Sequence, residues 1–454
     1  MNQAVLAAIV TGVGLVSIAT DADAQSLEQA LISAYLTNPQ LEAQRAALRS
    51  TDELVPQALS GWRPTLQADG SVTYNDSDRT GNQQDQFTSL SSALALDQEL
   101  YSGGETVANT RRAERLVHVE RARLVVVEQD VLLQAVTVYT DLLAARAVLD
   151  FATQNESRLR RQLQATNDRF EVGEVTRTDV AQADARLSGS TADRIQAEGA
   201  VAAAVAAYRR VINQEPAGLV VPQPLADLPG SQEEAQGLAQ DQNPNIAAAQ
   251  YNLSAARAEV DVAESALLPR LSLRGELSYA RNPTEVLDYR RDASIGANLR
   301  VPLYQGGGEY ARVRQTKQTV RQRRDDLEDT FRAVRDEVTN SWETLVTATS
   351  RIESIGAQVR ANEIAVEGSR QEALVGQRTT LDVLDQESDL FQSQVDLVQA
   401  RRDQIVASYR LKSAVGQLTV AGINLPVQPY NDEAYYDATR NRWIGLGESP
   451  DGDR

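Results

Sequence analysis

Two hydrophobic rhythms divide the chain. In four short stretches the period is two. Leu66, Ala68, Gly70, Val72 and Tyr74 alternate with Thr65, Gln67, Asp69, Ser71 and Thr73, and Leu271, Leu273, Gly275, Leu277 and Tyr279 alternate with Ser272, Arg274, Glu276 and Ser278. Ile295, Ala297, Leu299, Val301 and Leu303 alternate with polar or small residues, and 88–101 follows less cleanly through Leu90, Leu94, Leu96 and Leu100. This predicts strands over 65–75, 88–101, 270–280 and 293–304. Each is close to the ~9–11 residues of a tilted membrane-spanning strand. One such run alone is better read as a half-buried strand of a soluble domain; four, arranged as two hairpins behind a signal peptide, favour a membrane.

Elsewhere the period is helical and sustained. Residues 105–172 contain neither Gly nor Pro, and 309–375 contain no Pro and only Gly356 and Gly368. The pattern predicts helices over 105–172, 176–214, 309–375 and 379–418. At 1.5 Å per residue the longer pair reach about 100 Å, beyond the interior of any globule, so they need helical neighbours along their length. Leu132, Val136, Tyr139 and Leu143 step by four, three and four; Leu384, Phe391, Val398 and Ile405 recur every seven, with Val395 and Tyr409 on the adjoining seam. The Ala/Val-rich run 201–208 suits close helix approach.

The two rhythms occur twice. Asn38-Pro39 returns as Asn243-Pro244, Pro64-Thr65-Leu66 as Pro269-Arg270-Leu271, Tyr101-Ser102-Gly103-Gly104 as Tyr304-Gln305-Gly306-Gly307, and Val172-Gly173 with Asp179-Val180 as Val375-Gly376 with Asp382-Val383. Two repeats follow, 25–214 and 231–418, joined by a proline-rich linker 215–230 and followed by a tail, 419–454. Ahead of them, the apolar run Ala4–Ala19 and the small-x-small triplet Ala22-Asp23-Ala24 read as a signal peptide over 1–24, although its start carries no Lys or Arg. Four spanning strands cannot close a barrel, for which about eight are needed, and lipid forbids an open edge. Several chains must share one barrel: three would give twelve strands, and other multiples of four satisfy the same argument.

Composition narrows the chemistry. A net charge of −18 argues against a nucleic-acid partner. With no cysteine and one histidine, His118, thiol catalysis, disulfides and Cys or multi-His metal centres are excluded, so no enzyme and no cofactor is expected. His118 lies within a long charged helical run and is expected to be solvated. Gly306-Gly307-Gly308 lacks the Lys-Ser/Thr of a phosphate loop and reads as a hinge. Tyr74, Tyr101, Tyr279 and Tyr304, at strand ends, suit interfacial girdles, with ordinary packing as the rival. Asp382 and Asp385 lie about 60° apart on one helical face. One reading makes them helix-start carboxylates favoured by the dipole; the other gathers six of them on a threefold axis, where repulsion favours bound cations or raised pKa values.

These features resemble the TolC family of outer-membrane channel-tunnels over nearly the whole chain. The resemblance rests on the doubled Asn-Pro helix starts, the Pro-x-Leu strand starts, the Tyr-x-Gly-Gly strand ends, Val375-Gly376-Gln377-Arg378-Thr379 with Asp382-Val383-Leu384-Asp385, and Arg169-Phe170-Glu171-Val172-Gly173 with Thr178-Asp179-Val180. The tail, with Tyr436-Asp437 and Asn441-Arg442-Trp443-Ile444-Gly445-Leu446, is similar to the type I protein secretion branch. The resemblance implies an α+β membrane protein, a trimer in which a twelve-stranded β-barrel surmounts an antiparallel α-helical coiled-coil tunnel. It implies residence in the outer membrane of a Gram-negative bacterium, surrounded by lipid, with a large periplasmic portion. It implies a duct fed through a periplasmic adaptor by an inner-membrane ABC transporter, or by a proton-driven pump if the cargo is small molecules. The contrasting reading is a periplasmic scaffold without a pore. By the same resemblance Asp382 and Asp385 ring the periplasmic aperture, where cations would bind; Thr178, Asp179 and Arg378 belong to the network that constricts the entrance; and Val172, Gly173, Val375, Gly376 and Thr379 form the tip on which the adaptor docks. The family's constricting tyrosine falls on Ala373, so that latch is missing, while Phe170 offers bulk in the first repeat.

Overall fold

The computed structural model describes residues 25–79, 83–284 and 286–447. The expected signal peptide and the last residues of the tail lie outside the described residues. The first repeat contains α1 (Leu27–Thr37), α2 (Pro39–Asp52), α3 (Leu54–Leu59), β1 (Thr65–Arg79), β2 (Gln83–Tyr101), α4 (Glu105–Glu171) and α5 (Arg177–Ile212). The second contains α6 (Gln232–Gln242), α7 (Pro244–Ser265), β3 (Arg270–Thr284), β4 (Leu287–Arg300), α8 (Gly308–Leu374) and α9 (Thr380–Ala414), with α10 (Ala434–Thr439) in the tail.

The strands form one antiparallel sheet, ordered β1-β2-β3-β4, whose outer edges belong to β1 and β4. Register sorts its two faces. Leu66, Leu96, Gly275 and Ile295 form one cross-sheet row, and Ala68, Leu94, Leu277 and Ala293 the next on the same face. The opposite face carries the row Gln67, Ala95, Glu276, Ser294 and the row Asp69, Ala93, Ser278, Asp292. There Arg274 lies 3.3 Å from Glu276 and 3.6 Å from Asp97. Even the apolar face is exposed: Leu66, Ile295 and Leu299 are each more than 60% accessible. A sheet with one greasy face, one polar face and two free edges is an arc of a barrel with a wet interior.

The hairpins depart from expectation at both ends. The described residues of 75–87 and 280–292, which lie between the expected strands, are largely paired strand, with Asn75 opposite Phe87 and Arg79 opposite Gln83. Apolar alternation stops at Tyr74 and Tyr279, but the backbone ladder does not need apolar side chains, so the hairpins continue as polar ribbons. At the other end β4 stops at Arg300 instead of reaching Tyr304. Pro302 has no N–H to donate. The matching position in the first repeat is Glu99, and β2 runs on to Tyr101.

α4 and α8 are each 67 residues long, about 100 Å at 1.5 Å per residue. α4 pairs with α5 and α8 with α9, while α4 also packs along α7 and α9. On α9 the buried stripe is Val383, Glu387, Leu390, Ser393 and Ala400, whereas Phe391 and Val398 of the expected heptad seam stay half-buried. α9 packs along both α8 and α4, so its neighbours on two sides come from the same chain.

The main core sits where the short helices gather about α4. Tyr139, Leu132 and Leu142 of α4 bury with Leu31, Leu41, Leu48, Tyr208 and Ile212. The duplicated Asn-Pro motif does two jobs there. Asn38 and Asn243 each accept from the N–H two residues on, at 2.9 Å, capping α2 and α7, while their amides donate to the carbonyls of Val211 and Ala414 at the ends of α5 and α9. Proline at the first helical position gives up an N–H that had no helical partner. Among the buried groups Asp52 is unusual: 1% exposed, with neither carboxylate oxygen bonded, its pKa is pushed up to about 7 by burial, against the nearby Arg121. His118 is not solvated as expected. Its ring stacks on Tyr251 at 4.8 Å, and desolvation pushes its pKa down.

Candidate functional site at the hairpin tips

The two helical hairpins, α4/α5 and α8/α9, each turn at the end farthest along the chain from the strands, and the turns are built alike. Gly173 and Gly376 have φ of +83° and +76°, a region that penalises any Cβ. Gly173 N–H donates to Phe170 O and Glu174 N–H to Arg169 O; Gly376 N–H donates to Ala373 O and Gln377 N–H to Glu372 O. This paired pattern around a left-handed glycine is a Schellman ending. The next helix opens with a capping box in both tips. Asp179 Oδ2 accepts from Thr176 N (2.8 Å), and Asp382 Oδ2 accepts from Thr379 N (2.9 Å); the threonine hydroxyls accept from the aspartate N–H groups in return.

The expected residues therefore acquire local roles. Gly173, Gly376 and Thr379 shape the turns. Val172 and Val375 stand about 70% exposed at the two apices, with Leu374, Phe170 and Leu381 also exposed beside them. Asp382 is a helix-start carboxylate, and the bonds from Thr379 hold its pKa below the usual value, with Arg378 helping. Within one chain it is thus stabilised as an anion, opposite in direction to the upward shift expected of a crowded ring. Asp385 accepts from Arg186 Nη2 of α5 at 2.6 Å, linking the hairpins. Thr178 is exposed, and Arg378 Nε pairs with Glu372 of its own tip at 2.9 Å. Among the described residues no hydrogen bond or ion pair joins Arg378 to Thr178 or Asp179 within the chain.

Sequence reasoning missed a buried ion-pair link in the region. Glu387, 4% exposed, accepts from Arg158 Nε of α4 at 2.9 Å and from Arg370 of α8, so one buried carboxylate ties three helices. Farther from the tip, Arg402 Nε binds Asp141 at 2.6 Å across the same α9–α4 seam, and half-buried Arg194 of α5 binds Glu156 of α4 at 2.7 Å. The signal for Glu387 was its spacing: Val383, Glu387 and Leu390 step by four and three, which sets a charge within an apolar stripe.

An arc of membrane barrel continuous with a helical tunnel wall defines an outer-membrane channel. The chain belongs to the outer membrane efflux protein family, whose profile matches residues 30–214 and 236–417, one block in each repeat. It is 35% identical to the outer membrane efflux protein BepC of Brucella suis over 98% of this chain and 97% of BepC. It is 28% identical to the outer membrane protein TolC of Vibrio cholerae over 87% of this chain and 92% of TolC. With the alkaline protease secretion protein AprF of Pseudomonas aeruginosa it shares 27% identity over 75% of this chain and 72% of AprF. The solved CmeC outer membrane channel of Campylobacter jejuni superposes with a TM-score of 0.77 at 16% identity, covering 86% of this chain and 85% of CmeC. The fold is that of the family's trimeric channel-tunnel, in which each chain gives four strands to one barrel, and the protein resides in the outer membrane with a large periplasmic portion.

Proposed function

We propose that three copies of this chain form the exit duct of a tripartite transporter, most directly one for type I protein secretion. The hairpin tips are the periplasmic entrance, Asp382 and Asp385 its aperture, and the exposed apices about Val172 and Val375 the surface that receives a periplasmic adaptor. An inner-membrane ABC transporter then supplies the energy. The observation that carries this reading is the pair of matched, rigidly capped turns with exposed valines, at the far end of ~100 Å helices from the strands. Arg378 and the Thr178–Asp179 pair, which do not meet within one chain, meet between neighbouring chains and constrict the entrance. Ala373 in place of a tyrosine leaves that closure to Arg378 and the arginine–carboxylate links. The secretion assignment rests on the tail resemblance and on likeness to AprF; a duct for small-molecule efflux with a proton-driven pump is the second reading, favoured by the higher identity to BepC.

Single-channel recording in planar bilayers tests the aperture. Because Asp382 caps α9, the neutral variants are Asp382→Asn with Asp385→Asn, which keep an acceptor oxygen at the cap. Wild type is expected to be cation-preferring and blocked by multivalent cations from the periplasmic side, and the double variant to lose most of that block. Retention of wild-type block and selectivity would reduce both residues to helix-end carboxylates. Co-purification from the envelope separates the two cargo readings: an ABC transporter supports secretion, and a proton-driven pump supports efflux.

A further inference from the structure

The tail after α9 follows a fixed path along α4. Val420 N–H donates to Glu128 at 2.7 Å, Arg121 lies 3.1 Å from Glu433 and 3.5 Å from Asp432, and Arg440 lies 3.0 Å from Glu114. Glu128, Arg121 and Glu114 are spaced by seven, so they form one stripe that climbs about 10 Å per step toward the strands. α10 is clasped on that stripe, with the Tyr436 ring under Arg121 (5.5 Å) and Arg440 (5.9 Å). Beyond it Arg63 Nη1 donates to the carbonyl of Arg442 at 2.8 Å, and the Arg63 guanidinium sits 5.0 Å over the Trp443 ring. Arg63 lies two residues before the first residue of β1, and its neighbour Trp62 accepts through its carbonyl from Gln98 of β2. The tail is thereby carried to the level at which the strands emerge from the membrane.

There the chain makes a closed turn. Gly445 has φ +127°, and Arg442 Nη1 reaches across to the carbonyl of Gly447 at 2.7 Å. The turn leaves Trp443 65%, Ile444 89% and Leu446 fully exposed, beside Trp62 at 46%. Four large apolar side chains left in water are costly, by about 25 cal/mol per Å² of accessible apolar area. At the lower end of the barrel's apolar face Tyr101 and Leu271 stand opposite one another. The chemistry of the turn is that of a membrane interface. Indole rings favour the headgroup–acyl boundary, isoleucine and leucine the acyl chains, and the Arg63 and Arg442 guanidiniums lipid phosphate. The chain has no cysteine through which a lipid could be attached.

We propose that the turn Arg442–Gly447, with Trp62, is a membrane anchor that inserts Trp443, Ile444 and Leu446 into the phospholipid leaflet facing the periplasm. Three copies would ring the base of the trimeric barrel, each joining the leaflet to the helical body through the arginine clasps on α4.

The absence of native cysteine makes the test direct. Ile444→Cys and Leu446→Cys, both at exposed positions that do not bear on folding, carry a nitroxide in intact trimers reconstituted into phospholipid bilayers; Ala434→Cys, exposed on the same tail and outside the arginine clasps, is the aqueous control. At 444 and 446, collision with oxygen is expected to exceed collision with a water-soluble nickel chelate several-fold, with the order reversed at 434. Two results overturn the proposal. Free access of the chelate to 444 and 446 leaves the turn in water, and shielding from both reagents places it against a neighbouring protomer. Lipids brominated near the headgroup supply a second readout through the native tryptophans. They should quench wild type more than Trp443→Ser, and equal quenching of the two also overturns the proposal.

Discussion

The two hairpin tips share a backbone and differ in what their side chains hold. Each ends its long helix on a left-handed glycine and opens the next with a Thr/Asp capping box. Beyond that frame they part. The first tip keeps its aspartate, Asp179, for the cap. The second adds Arg378 paired with Glu372, Asp385 bound to Arg186 across the hairpins, and the buried Glu387 gripped by Arg158 and Arg370. The residue matching Glu387 in the first repeat is Asp184, which is exposed. Duplication thus fixed the geometry of two equal turns, and divergence placed the inter-hairpin ties on α9. If the entrance opens by hairpin movement, α9 is where that movement is restrained.

The largest expected effect breaks this asymmetry at its centre. Glu387→Ala leaves two arginines without their shared carboxylate, and loss of one partner of a buried pair costs about 3 kcal/mol. Asp184→Ala, at the matching exposed position, should stay within about 0.5 kcal/mol. Thermal unfolding of the purified trimers compares them. The Glu387 variant should also show higher open-channel conductance, because α4, α8 and α9 are no longer tied together. Equal melting temperatures for the two variants would remove the asymmetry from the account.

Next in size is a change aimed at what the tips share. Gly173→Ala and Gly376→Ala each force a Cβ into the left-handed region, at about 1 kcal/mol per site. Asn tolerates that region, so Gly376→Asn should recover most of the loss. Hydrogen exchange at the amides of Glu174 and Gln377, which close the two turns, reports each tip separately. Similar loss of protection at both supports equivalent frames. A loss confined to one would show that its partner is held by contacts outside the turn.

The framework was legible in the sequence because it follows rules with short reach. Alternation over 65–74 and 271–279 marks a strand and its lipid face, unbroken polar-apolar helical runs mark α4 and α8, and the Asn-Pro and Val-Gly repeats mark caps and turns. The ties were less legible because each joins residues far apart in the chain: Arg158 to Glu387 spans 229 positions and Arg186 to Asp385 spans 199. A duplicated sequence also invites equal treatment of the two copies, and Asp184 and Glu387 show where that fails. The length of the polar ribbons was hidden for another reason: alternation reports which face meets lipid, and pairing continues without it.

A smaller effect is expected at the Arg186–Asp385 tie. Its side chains are 46% and 48% exposed, so solvent and salt screen it, and exposed pairs contribute about 0.2–1 kcal/mol. Arg186→Gln should barely move the melting temperature. Its mark should appear in recordings, as a more frequently open channel at low salt whose difference from wild type fades as ionic strength rises. A salt-independent difference would mean that Arg186 acts by shape and not by charge.

The smallest effect distinguishes the second tip by its charge alone. Asp382 has its pKa lowered from the ordinary 3.8, first by the hydrogen bond from Thr379 N–H and then by the Thr379 hydroxyl. A carboxylate whose folded pKa is depressed adds stability that is present above the unfolded pKa and is lost as pH falls through the folded one. The cap therefore stays charged to below the ordinary carboxylate range, and the proposed aperture should keep its cation preference as pH falls toward that range. Thr379→Val removes the hydroxyl and keeps the backbone N–H. It should raise the pH at which selectivity is lost. Thr176→Val makes the same local change in the first tip, where Asp179 occupies the matching cap. Reversal potentials recorded from pH 7 to pH 3.5 separate the variants: the midpoint should shift for Thr379→Val and stay in place for Thr176→Val. A shift of equal size in both would spread the aperture charge over the two tips and end the assignment of the selective ring to α9 alone.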